Sequence, residues 1–186
     1  MPTVSPKYKI TEQKTKLPRF LLELDGQEIA SLTLENKHAS RATVSLRDKQ
    51  VVIHRQRGIK KDLVLHAPKG DVQLGRFVAN LLSRGVLTLG QSQFRWAPAK
   101  NSWLSWAWYD EKGNEVLRIQ KKLHLFKTNA HVYSQDKLNE ETEALLSLLG
   151  LQLLHISQSG GAGHLKTALD VSREKYGKKI PQKNYA

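Results

Sequence analysis

No cysteine occurs in the 186 residues. That excludes a disulfide framework and a thiolate metal site, and it accords with a reducing compartment. Acidic residues are scarce: 17 Asp and Glu stand against 30 Lys and Arg, for a net charge of +13. No apolar run reaches the ~20 residues that cross a bilayer as a helix. The first 19 residues carry Lys7, Lys9, Lys14, Lys16 and Arg19 with no apolar core, so no secretory signal is read there. The expectation is a cytoplasmic protein, peripheral to a membrane at most. No Gly-x-Ser-x-Gly or His-Glu-x-x-His pattern is present. Neither an enzyme, nor a cofactor, nor a metal site is therefore predicted. Of the seven histidines, His54 and His66 are spaced to meet across a hairpin. Residues 157–167 approach a phosphate loop, but Leu165 stands where glycine must precede the lysine. That segment reads as a linker.

What is present is organised around residues 140–157. At about 100° per residue, Leu145, Leu146, Leu148, Leu149, Leu151, Leu153, Leu154 and Ile156 go round the whole helix, and such a helix has to be surrounded. Burying them contributes roughly 12–24 kcal/mol gross, an upper bound because unfolded chains hide some apolar area. Asn139 is placed to cap the helix. Glu140, Glu141 and Glu143 put negative charge at the positive end of its dipole.

Residues 20–133 read as short strands with hairpin turns. Ala42, Val44 and Leu46 alternate with Thr43 and Ser45, the period of a strand buried on one face. Asp25-Gly26 is a two-residue hairpin signal, and the segment 110–114 is another turn. Eleven or twelve strands followed by an all-round apolar helix predict a mainly β fold: a closed antiparallel β-barrel of about twelve strands around a central hydrophobic C-terminal helix. Gly150, costly in mid-helix, would allow a strand to approach closely. Residues 1–16 are expected to form a basic flexible arm, 17–157 the barrel with its helix, and 158–186 a Gly-rich linker and basic tail.

The run of short strands, the hairpin Trp108-Tyr-Asp-Glu-Lys-Gly-Asn-Glu-Val116 and the hydrophobic C-terminal helix resemble the tubby C-terminal-like superfamily, nearest its phospholipid-scramblase and LURP-one-related branch. The resemblance spans roughly residues 20–157. It implies a twelve-stranded barrel around a helix and an association with membranes or phosphoinositide headgroups. The palmitoylatable Cys cluster and acidic calcium segment of scramblases are lacking, so lipid scrambling itself is not implied.

The basic loop with Arg55, Arg57, Lys60 and Lys61 is the best candidate for meeting phosphates. Arg47 and Lys49, with Arg41, would widen it if their turns share a barrel end. The aromatic concentration around Trp96, Trp106 and Trp108 reads first as core. Trp103 and Tyr109, on the opposite strand face, are the candidates for exposure. The expected role is a non-enzymatic binding module that docks anionic membrane lipid through basic loops. Two other roles stay open: single-stranded nucleic-acid binding through the same cations plus aromatics, and a scaffold whose charge only aids solubility. Oligomeric state is not readable.

Overall fold

The computed structural model describes residues 5–13, 15–36, 39–56, 62–70, 72–80, 84–100, 105–122 and 129–159. The wall is one antiparallel meander. Its strands are β1 (Tyr8–Gln13), β2 (Arg19–Leu24), β3 (Gln27–Leu34), β4 (Arg41–Leu46), β5 (Lys49–Arg55) and β6 (Leu63–His66). They continue as β7 (Gln73–Ala79), β8 (Gly85–Leu89), β9 (Ser92–Pro98), β10 (Ser105–Tyr109), β11 (Glu115–Lys122) and β12 (Asn129–Ser134). Each strand pairs with the next in sequence, and β12 pairs back onto β1, so the barrel closes and leaves no free edge. The alternation read in the sequence is the alternation of the wall. Ala42, Val44 and Leu46 are buried, while Thr43 and Ser45 are half-buried. At Asp25-Gly26 both residues take positive φ, 51° and 81°, as a tight hairpin requires.

Helix α1 (Glu140–Ser159) fills the barrel. Every residue from 144 to 154 is buried. The helix touches β2, β3 and β4 on one side and β10 and β11 on the other. Its start is capped as expected: Thr142 N donates to Asn139 Oδ1 at 2.8 Å. Trp108 ties wall to helix, its indole Nε1 donating 2.8 Å to the Leu146 carbonyl. Gly150 is the point of closest approach. A Cβ there would sit 2.5 Å from Ile119 Cδ1 and 3.0 Å from the Trp96 ring.

One boundary differs from the expectation. Residues 8–13, assigned to a flexible arm, are strand β1 and close the barrel between β12 and β2. Only Tyr8 and Ile10 are apolar there, and both are fully buried, so the polar composition of the segment concealed a strand. What fixes it is Glu143, a carboxylate with no exposed surface. It accepts from the Tyr8 hydroxyl at 2.5 Å, from Lys7 Nζ at 2.9 Å and from the Ser134 hydroxyl. Burial opposes the charge of Lys7, but its hydrogen bonds to Asp136 and Glu143 outweigh that and hold its pKa above the usual lysine range. Burial, reinforced by Glu143, likewise keeps the Tyr8 hydroxyl protonated above the usual tyrosine range. One helix residue thus joins β1, β12 and α1.

Candidate anion-binding end

In a closed meander, successive connections alternate between the two barrel ends. The turns 25–26, 47–48, 67–72, 90–91 and 110–114 and the segment 135–139 lie with the helix N-terminus. The strand ends that flank 14–18, 35–40, 56–62, 80–84, 99–104 and 123–128 lie at the end where the helix finishes. Contacts fix this assignment. Arg47 and Lys49 reach Glu140 and Glu141 at the helix start. Near the helix finish, Gln152 Nε2 donates 3.0 Å to the carbonyl of Ala39 in the 35–40 connection.

The two ends differ in charge. In sequence, the connections at the helix N-terminal end contain four Lys or Arg (Arg47, Lys69, Lys112, Lys137) and six Asp or Glu (Asp25, Asp48, Asp71, Asp110, Glu111, Asp136). Glu140, Glu141 and Glu143 add to that excess. Among the described residues, the connections at the opposite end hold Lys16, Arg84 and Lys100 against Glu35 and Asp62, while Lys14, Lys37, Arg57, Lys60, Lys61 and Lys127 lie outside the described residues. Strand ends supply Arg19, Arg41, Arg55 and Lys122 on the same side. Arg19 and Arg41 are paired with Glu28 and Glu35 at 3.0 and 2.9 Å. Lys16, Arg55, Arg84, Lys100 and Lys122 form no ion pair among the described residues. Leu17, between Lys16 and Arg19, is 40% exposed.

The sequence candidates divide accordingly. Arg55 lies at the basic end, half-buried at the close of β5. Arg47 and Lys49 do not widen its patch. They lie at the other end of β4 and β5, roughly 20 Å away at ~3.3 Å per strand residue. There Arg47 pairs with Glu140 at 2.6 Å and Lys49 with Glu141 at 2.9 Å. Arg57, Lys60, Lys61 and Trp103 lie outside the described residues, as do the linker and tail from residue 160. Tyr109 is on the outer face, as its parity requires, but it is buried rather than exposed. Its ring lies under the Arg95 guanidinium at 4.7 Å, and its hydroxyl donates to the Pro98 carbonyl at 3.3 Å. Trp96 and Trp108 are core residues, their rings 4.8 Å apart.

Sequence reasoning missed a charged group inside the basic mouth. Glu12, Lys121 and His155 face the interior there, with the His155 ring 6.2 Å from Phe20. Burial lowers the pKa of Lys121, with Glu12 opposing, and burial together with Lys121 lowers that of His155. The only advance sign was the parity of Lys121, which puts it on the same face as Leu117 and Ile119. On the outer wall, His54 and His66 do stack, with centroids 4.9 Å apart and planes 14° apart. Burial, then His66 and Arg41, lowers the pKa of His54. Stacked rings of this kind make a packed pair. Among the described residues no group of three His, Asp or Glu is placed to hold a metal ion.

The clefts on the outer wall are open and shallow. One of about 390 Å³ is lined by Val86, Gln93, Arg95, Asp110, Glu111 and Gly113. Its carboxylates serve turns: Asp110 accepts from Asn114 at 2.7 Å, and Glu111 accepts from Gln93 N at 3.2 Å. Comparison with family models, curated proteins and solved structures gives no match for this chain.

Proposed function

We propose that this protein is a non-enzymatic binding module that docks anionic lipid headgroups through the basic end of its barrel. The observation that carries the reading is the segregation of charge: among the described residues, connections and strand ends hold seven cations against two carboxylates at one end and five against six at the other. Net charge alone, as a solubility device, would not sort itself by barrel end. Lys16, Arg55, Arg84, Lys100 and Lys122, which form no ion pair among the described residues, suit a flat array of phosphates, at up to ~1 kcal/mol per Lys or Arg near an anionic surface. The exposed Leu17 among them suits a lipid interface. The tubby-like resemblance of the sequence points the same way. Single-stranded nucleic acid is the weaker fit, because stacking needs open aromatic faces and Phe94, Trp96, Trp108 and Tyr109 are buried.

Co-sedimentation with vesicles tests the reading. Binding is expected to rise with the fraction of anionic lipid and to fall with salt. Replacement of Arg55, Arg57, Lys60 and Lys61 by Ala is expected to weaken binding with the melting transition unchanged. Equal binding to neutral vesicles would overturn the proposal. So would tight binding of an oligonucleotide, at physiological salt, by a chain that ignores anionic vesicles.

A further inference from the structure

We infer that the barrel docks end-on, with its helix C-terminal end against an anionic bilayer and its helix N-terminal end directed away from it. The inference rests on the lipid-docking reading and goes beyond it, because basic residues alone do not say how a molecule stands on a surface. Orientation follows from the charge at both ends of one rigid body. The wall is continuous and filled by α1, so the ends hold a fixed separation. The strands have four to eight residues, which at ~3.3 Å each sets the ends on the order of 20 Å apart along a strand. That exceeds the ~8–10 Å Debye length at physiological salt. Each end therefore senses an approaching surface largely on its own. The basic rim, represented by Lys16, Arg84, Lys100 and Lys122, is attracted. The opposite end, with exposed Asp25, Asp48 and Glu111 outside any ion pair among the described residues, is repelled. A side-on approach would bring both ends within a Debye length at once and forfeit that difference.

Two further features agree with this orientation. Leu17 is exposed within the rim, where a leucine gains from contact with the acyl boundary. At the other end, Lys7, Arg47 and Lys49 are held by Asp136, Glu143, Glu140 and Glu141, so those cations meet carboxylates of the same chain before any phosphate.

The absence of cysteine allows a direct test. Single substitutions Thr15→Cys, at the basic end, and Gln91→Cys, at the acidic end, each give one labelling position on an exposed residue. Each is labelled with a fluorophore, and the full chain is bound to phosphatidylglycerol–phosphatidylcholine vesicles that carry a quencher at the headgroup. Quenching at position 15 is expected to exceed that at position 91 at least threefold. Equal quenching, or stronger quenching at 91, overturns the end-on orientation while leaving lipid docking in place. If neither labelled chain nor the unlabelled chain sediments with these vesicles, the docking reading fails, and the orientation fails with it.

Discussion

Glu143 is the residue on which the most structure converges. Its carboxylate receives Lys7, Tyr8 and Ser134 in a site without exposure. Removing one partner of a buried charged network leaves donors unsatisfied. Glu143→Ala is therefore expected to destabilise the fold on the order of 3 kcal/mol, read as a shift in the denaturant midpoint at constant slope. A loss below about 1 kcal/mol would mean that the clasp does not hold β1. In the sequence Glu143 was legible only as a dipole complement, because Lys7 and Tyr8 are more than a hundred residues away and Ser134, nine residues before it, gives no sign of a buried charge by itself.

Histidine protonation makes a second prediction at this scale. Burial and neighbouring cations lower the pKa of His54, His131 and His155 in the folded protein. The unfolded chain, near the ordinary value of about 6.5, then binds more protons than the folded one as pH falls. Their contribution to stability is complete above that value and is lost as pH falls through the lowered folded values. Chemical denaturation at pH 7.5 and 5.5 is expected to show a lower midpoint at the acid pH. His155→Gln is expected to reduce the difference. An unchanged midpoint across that interval would contradict the burial assigned to these rings.

At the scale of elements, Gly150 decides how closely α1 approaches β9 and β11. Gly150→Ala would gain about 1 kcal/mol of helix propensity. It would also place a methyl 2.5 Å from Ile119 Cδ1 and against the Trp96 ring, and overpacking of this kind costs about 1–3 kcal/mol. The expected net effect is destabilisation by thermal melting. A raised melting temperature would mean that the helix sits looser than the structure shows. Eleven strands and the helix were legible because burial on one face writes a period of two and burial on all faces writes none. β1 was not legible, since the alternation of Tyr8, Ile10 and Glu12 with Lys9, Thr11 and Gln13 has only two apolar members. The separation of Arg47 and Lys49 from Arg55 was legible in principle, because consecutive connections of a meander must fall on opposite ends. The burial of Tyr109 was not. Parity gives the outward direction, and only the structure shows Arg95 lying over the ring.

At the scale of the whole molecule, the barrel carries a basic excess at one end and an acidic excess at the other. The chain continues past α1 from the basic end, whereas residues before β1 approach from the acidic end. Removal of residues 160–186 is therefore expected to weaken binding to anionic vesicles more than removal of residues 1–6. Residues 160–186 hold six Lys or Arg against two acidic residues and residues 1–6 hold no charged side chain, so equal losses would show that the basic tail adds nothing to binding. The central claim is that placement of charge, and not its total, makes the binding surface. It is tested most directly by comparing vesicle binding of two variants with the same net charge. One carries Lys16→Glu, Lys100→Glu and Lys122→Glu at the basic end, the other Lys69→Glu, Lys112→Glu and Lys137→Glu at the acidic end. All six residues are exposed, so neither set disturbs the core. The first variant is expected to lose about tenfold or more in affinity, at up to ~1 kcal/mol per cation removed, and the second to stay within about twofold of the unmodified chain. Equal losses in the two variants would contradict the account.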